Sequence, residues 1–206
     1  MTATPAIEVR PLTPERRADY LDFFDHRAFA DNPKWASCYC HYPHADHQAV
    51  PWDRRSAAEN RAAVCARIDA GRMSGWLAYV DGRAIGWLNA GPRREACGLV
   101  DTPDPLEDRI ASVACFVIAA EHRGRGVARA LLAAACAGLA ARGFEWIEAY
   151  PRTDPTASAA AQHLGPLALY REAGFEAIGP GSDGGVTVRK RLDSFAAARD
   201  KGEAGR

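Results

Sequence analysis

The segment Phe116-Val117-Ile118-Ala119-Ala120-Glu121-His122-Arg123-Gly124-Arg125-Gly126-Val127-Ala128 runs from a buried-strand pattern, through a turn with two glycines, into a long helical pattern. A helix start carries unpaired N–H groups and a partial positive charge, which makes it a natural anion site. Gly124 and Gly126 let backbone approach a phosphate closely, and Arg123, Arg125 and Arg129 add charge. A pyrophosphate fits that description. The turn is not a P-loop, which needs G-x-x-x-x-G-K-[ST]. Nor is it a G-x-G-x-x-G dinucleotide fingerprint, because Arg129 stands where the third glycine belongs.

A second group with chemistry is Tyr170, in Tyr170-Arg171-Glu172-Ala173-Gly174-Phe175. Its phenol, of pKa about 10, keeps its proton at neutral pH and can donate it. The third is the loop from Asp31 to Trp52, which brings together Trp35, Cys38, Cys40, His41, His44 and His47. Thiols and imidazoles so close together invite a zinc reading, but Cys-x-Cys is not the usual ligand gap and no second ligand pair follows at finger spacing. No metal is expected. The loop reads instead as a substrate-side wall, with Trp87 and Asn89 facing the same cleft. A structureless loop longer than about 12–15 residues is commonly functional. Candidate bases are Glu148, Asp101, Asp104, His41, His44 and His47, with none singled out.

The turn also fits [RQ]-x-x-G-x-[GA], filled by Arg123, Gly126 and Ala128, and Tyr170 to Phe175 fits Y-x-x-x-G-F. In both, the chain resembles the GNAT superfamily of N-acetyltransferases; Trp35-x-x-Cys38-x-Cys40 and Glu148-x-Tyr150-Pro151 look like an uncharacterised bacterial subgroup of it. The resemblance implies that acetyl-CoA is the co-substrate. Its pyrophosphate would be held by Arg123, Gly124, Arg125, Gly126, Val127, Ala128 and Arg129, and its thioester carbonyl polarised by backbone N–H groups near Val117 and Ile118. It further implies that Tyr170 lies beside the CoA sulfur and that Trp35, Cys38, Cys40, Trp87, Asn89 and Glu148 meet the acceptor. The expected reaction is transfer of acetyl to a small-molecule primary amine. The alternatives are a lysine or N-terminal protein acetyltransferase and a non-catalytic acyl-CoA-binding module.

The elements that must position these groups follow from periodicity and punctuation. Ile7–Arg10 alternates like a strand and Pro14–Phe29 like an amphipathic helix. Ser56-Ala-Ala-Glu59 is a capping box opening a helix that Gly71 closes. Asp81-Gly82 marks a hairpin between Gly75–Val80 and Ala84–Asn89. Pro92–Arg109 reads as a loop, Ser112–Ala119 as a strand buried on both faces, Gly126–Arg142 as a helix and Phe144–Tyr150 as a strand. Pro166–Ala173 then reads as a short helix, followed by strands over Phe175–Ile178 and Val186–Leu192. The expected fold is α/β with a mixed (α+β) sheet: one domain over residues 1–192, built on a mostly antiparallel sheet of about seven strands with helices on both faces. Residues 193–206 read as a flexible tail.

The chain of 206 residues holds 26 Lys plus Arg against 26 Asp plus Glu. A neutral chain lacks the positive field needed to grip nucleic acid or an anionic membrane without specificity, so neither partner is expected. No signal peptide is seen at the start, and no apolar run is long enough to span a bilayer. The cysteines at 38, 40, 65, 97, 115 and 136 show no CxxC pair and read as reduced thiols of a cytoplasmic protein. A homodimer is left open.

Overall fold

Side-chain alternation along the strands sends apolar groups to both faces of one sheet, and helices cover each face. The computed structural model describes residues 6–96, 102–153, 163–181 and 184–192. In chain order its elements are β1 (Glu8–Pro11), α1 (Arg17–His26), α2 (Ala57–Asp69), β2 (Gly75–Val80), β3 (Arg83–Pro92), β4 (Ile110–Ile118), α3 (Val127–Ala141), β5 (Trp146–Ala149), α4 (Leu167–Glu172), β6 (Glu176–Pro180) and β7 (Val186–Arg191). The strands lie in the order β1-β2-β3-β4-β5-β7-β6. Only β4 and β5 pair in parallel; every other neighbouring pair is antiparallel. This is the mixed, mostly antiparallel sheet expected from the sequence.

On one face Trp76, Leu88, Phe116 and Ile147 pack with Leu131 and Leu139 of α3, and with Tyr170 and Phe175 around α4. On the other, Leu77, Trp87 and Val117 pack with Tyr20 and Phe23 of α1 and with Val64 and Ile68 of α2. Fully burying a large apolar side chain contributes roughly 1.5–3 kcal/mol relative to exposure, so these two cores hold the helices in place. The expected helix over Pro14–Phe29 is shorter: Pro14–Arg16 is a 3-10 turn, and α1 ends at His26. The long loop after it contains three short 3-10 turns, Pro33–Trp35, Tyr42–His44 and Trp52–Arg54, the first two opening on or beside proline. The tail expected over residues 193–206 lies outside the described residues.

Candidate active site

Two irregularities open the centre of the sheet. Asn89 pairs with Cys115 whereas Ala90 pairs with Val113, so Ala114 is an extra residue in β4, a bulge. It flips the alternation: Ala111 and Val113 share a core with Phe116, while Cys115 and Val117 face the opposite one. The second irregularity is a splay. β4 and β5 pair only from Ile110↔Trp146 to Val113↔Ala149. β4 then continues to Ile118, but the other chain bends away, and Pro151 O accepts from the Val186 amide of β7 at 3.1 Å. The β5-facing edge of β4 beyond Val113 therefore has no strand beside it among the described residues.

The ladder decides which amides face this slot. The Ala119 amide donates to Ile85 O on β3 at 3.0 Å, and alternate residues of a strand point their amides the same way. Val117 is thus turned toward β3, while Phe116 and Ile118 are turned to the slot. Of the two residues near which the polarising amides were expected, Ile118 faces the slot and Val117 faces β3. The bulge sets this parity, and no sequence signal reveals it. The Phe116 amide, absent from the sequence expectation, donates to His163 O at 2.6 Å.

At the end of β4 the chain passes Gly124 and Gly126, at φ +69° and +83°, values open to glycine without steric cost. A Cβ built on either meets nothing within 4 Å, so the space above the turn is free. Gly126 is the N-cap of α3; no side chain caps the helix, and its first turn holds no acid. The amides of Val127, Ala128 and Arg129 are left for an outside acceptor, which suits the implied pyrophosphate. Val127 can take part only through its backbone, since its side chain is buried. Arg125 is exposed, with no ion-pair partner among the described residues. Arg129 pairs with Glu172 at 2.6 Å, both exposed. Arg123 departs from expectation. Its Nε donates to Ile118 O at 3.0 Å and its terminal nitrogens to Asp31 at 2.5 and 3.0 Å. It braces the turn rather than offering a free charge.

Tyr170 is fully buried between Phe116 and Phe175, with ring centroids at 6.4 and 5.2 Å. Its hydroxyl donates to Leu164 O at 2.6 Å. Burial first, then nearby thiols, pushes the phenol well above its ordinary value, so it keeps its proton. The segment His163–Leu164 thus sits across the slot, touching both Phe116 and Tyr170, and the His163 ring meets Trp35 edge-on at 4.9 Å.

The wall residues separate into two kinds. Trp35 and Cys38 are half-buried, and Trp35 reaches the slot through His163. Trp87 is fully buried and packs edge-on against Tyr20 at 5.0 Å, so it is core and not cleft. Asn89 is buried but lines a small pocket with His44, Ser74, Glu95, Ser112 and Ala114. His44 Nδ1 lies 2.9 Å from Glu95 O, and its Nε2 lies 2.9 Å from Asn89 Nδ2, which also donates to Cys40 Sγ at 3.3 Å. An Nδ1–H tautomer satisfies both contacts of the imidazole. Burial, then Arg67, pushes His44 down to about 4; burial, then Arg55, does the same to His41. Both imidazoles are therefore unprotonated, and weakly basic, at neutral pH. His47 is half-buried and bonds Tyr42 O at 3.0 Å.

Glu148 is neither an acceptor contact nor a base. It is 1% exposed, and one carboxylate oxygen accepts from Arg93 Nε at 2.8 Å and Tyr150 OH at 3.0 Å, the other from Arg189 Nε at 2.7 Å. Asp104 is tied to the same Arg189 at 2.5 Å, which holds its carboxyl below the usual range. Asp101 lies outside the described residues. Among the described residues no three His, Cys, Asp or Glu side chains converge as metal ligands.

Residues 25–175 match the sequence model of the acetyltransferase (GNAT) family. Similar solved structures include an N-acetyltransferase from Staphylococcus aureus Mu50, at 15% identity over 91% of this chain and 99% of that one, with a TM-score of 0.57. The GNAT domain of S. lividans PAT is 24% identical over 90% of each chain, with a TM-score of 0.57. The PaiA N-acetyltransferase from Thermoplasma acidophilum in complex with coenzyme A is 13% identical over 90% of this chain and 99% of that one, with a TM-score of 0.54. Among curated proteins nothing matches the sequence.

Proposed function

The chain belongs to the GNAT acetyltransferase family, and on that premise we propose that it moves an acetyl group from acetyl-CoA to a primary amine of a small molecule by direct attack on the thioester. The observation that carries the reading is a juxtaposition: an uncapped, glycine-lined helix start at the end of a strand edge that no described strand pairs. The pyrophosphate rests on the amides of Val127 to Arg129 with Arg125 beside it, and the thioester lies along the β4 edge. There the Ile118 amide meets the developing oxyanion, while the Phe116 amide holds His163 O across the slot. Preorganised donors of this kind are typically worth about 3–4 kcal/mol each. Tyr170, kept protonated by burial, gives its proton to the departing thiolate once the sulfur replaces Leu164 O as its acceptor. With the described carboxylates near the slot held by arginines, the amine proton leaves through water.

A small acceptor is favoured because the Asp31–Trp52 loop packs down on the sheet. Cys40, His41 and Ala45 are buried in it, and beside them His44, Asn89 and Ser112 line a small pocket. No described helix is long and apolar enough to cross a membrane. Cys38, Cys40, Cys65, Cys115 and Cys136 are free thiols, in keeping with action in the cytoplasm.

Thiol release from acetyl-CoA across a panel of small amines and lysine peptides tests the reading. Turnover on a small amine is expected, reduced roughly tenfold or more in Tyr170→Phe while acetyl-CoA affinity stays near wild type. Turnover on peptides alone would make the acceptor a protein. Tight CoA binding without turnover on any amine would make the chain a binding module.

A further inference from the structure

Acetyl transfer to an amine moves two protons. Tyr170 supplies one to the departing sulfur; the other leaves the entering nitrogen, on the opposite side of the reacting carbon. The described carboxylates on that side are occupied. Glu148 accepts from Arg93, Arg189 and Tyr150, Asp104 pairs with Arg189, and Glu95 pairs with Arg67 at 3.1 Å. His41 and His44 are weakly basic.

His163 lies where the second proton emerges. Its carbonyl oxygen accepts from the Phe116 amide at 2.6 Å, which pins its backbone to the open edge of β4. The Ile118 amide, two residues further on, points the same way, about 7 Å along the edge at a strand rise of about 3.3 Å per residue. An imidazole and one bridging water, with hydrogen bonds of about 2.8 Å, span that gap. Neighbouring residues here serve opposite faces of the sheet. Leu164 O accepts from the Tyr170 hydroxyl at 2.6 Å, and Tyr170 belongs to the core that holds α3. The His163 ring instead meets Trp35 edge-on at 4.9 Å, and Trp35 belongs to the loop that packs with α1 through Tyr39 and Cys40. A Cβ on Gly165 would stand 3.0 Å from the Tyr170 hydroxyl, so the backbone passes the phenol closely, and Pro166 then caps α4. The segment is fixed on both sides of His163–Leu164, and His163 is half-buried, still within reach of water. Nothing in the sequence marks this histidine, because only the fold carries it to β4.

We propose that His163 is the proton acceptor for the entering amine, reached through one water. The assignment rests on the acetyl-transfer reading above and gives the amine proton its destination. The amine nitrogen attacks the thioester carbonyl; the N–C bond forms, and the water passes the nitrogen's excess proton to the imidazole, the side chain most often used in this role. As the C–S bond breaks, Tyr170 gives its proton to the sulfur. Solvent then takes one proton from the imidazolium and returns one to Tyr170, so the amine loses a proton and the thiol gains one.

The test follows thiol release from acetyl-CoA with the small amine that the wild type turns over fastest. In His163→Ala, kcat should fall roughly 100-fold, while acetyl-CoA affinity by calorimetry stays within about threefold of wild type. Added imidazole should restore part of the lost rate in His163→Ala, 4-methylimidazole, the stronger base, should restore more, and neither should accelerate the wild type. His163→Gln keeps much of the side chain's size without its basicity and should lose as much as His163→Ala. An unchanged kcat in either variant, a loss that neither imidazole restores, or a fall in acetyl-CoA affinity as large as the fall in kcat would overturn the assignment. Each of those outcomes leaves the transferase reading standing, because the wild type is active in all of them. A wild type that turns over no amine would instead sink that reading and take this assignment with it.

Discussion

Helices α2 and α3 begin in opposite ways. At α2, Ser56 Oγ accepts from the Glu59 amide at 3.2 Å and the Glu59 carboxylate accepts from the Ser56 amide at 2.8 Å. That start is closed by its own side chains, with an acid where the helix field wants one. At α3 there is no side-chain cap and no acid, and Arg129 occupies the first turn, the wrong sign for an isolated helix. Only one of the two helices needs its cap. α3 buries Leu131, Leu132 and Leu139 completely, each worth roughly 1.5–3 kcal/mol relative to exposure, against about 1 kcal/mol for a good N-cap. The sheet can hold α3 without help at its end, which leaves the first-turn amides for a ligand.

The comparison breaks most sharply if α3 is given the negative charge that α2 already has. Gly126→Asp places a carboxylate at the open turn, and Gly126→Asn places nearly the same shape there without the charge; both residues tolerate left-handed φ better than most. By calorimetry, acetyl-CoA affinity should fall about 100-fold or more in the Asp variant and about tenfold in the Asn variant. Equal losses would mean that the turn is sensitive to shape alone, and no loss in either would remove the pyrophosphate from α3.

Both helix starts were legible in the sequence because their signals are local: Ser-x-x-Glu at one, Arg-Gly-Arg-Gly at the other. The strands and helices around them followed from periodicity and turn signals. What could not be read depends on partners far along the chain. Glu148 looked like a candidate base until Arg93 and Arg189, 55 and 41 residues away, closed around it. Trp87 looked like a cleft residue, but α1 and α2 cover its face of the sheet. The single extra residue at Ala114 reverses every later side chain and amide of β4, so that Phe116 and Ile118 turn their amides to the slot and Val117 turns its own to β3. No composition or spacing announces a one-residue bulge inside an apolar strand.

Acidity should also separate the two starts. The α2 start is joined to the histidine loop: Arg55, just before the cap, lies 3.2 Å from His41 Nε2 and donates to Asn60 at 2.8 Å. His41 and His44 are both held neutral to about 4, whereas an unfolded chain would protonate them near 6.5. Between those values the unfolded state binds more protons, so this stability is fully present above pH 6.5 and is lost as pH falls toward 4. Urea unfolding at pH 5 should show about 4 kcal/mol less stability than at pH 7.5, about 2 kcal/mol from each imidazole, and a His41→Gln, His44→Gln double variant should lose much less between the two. Coenzyme A affinity should change by less than about threefold over the same range, since α3 has no histidine in its first turn. A stability curve flat between pH 5 and 7.5 would mean that neither imidazole is held neutral.

The smallest expected effect asks whether the two starts are independent. Ser56→Ala removes the hydroxyl but leaves the backbone N–H at position 56, so Glu59 keeps one half of the box. The loss should be about 1 kcal/mol, a shift of roughly 2–4 °C in Tm for a chain of this size. α2 packs on one face of the sheet and α3 on the other, so the loosened cap has no direct route to the α3 amides. Acetyl-CoA affinity in Ser56→Ala should therefore match wild type while the melting temperature drops. A severalfold loss of affinity would show that the sheet transmits strain between its faces, and that the open start of α3 is held in shape by the closed start of α2.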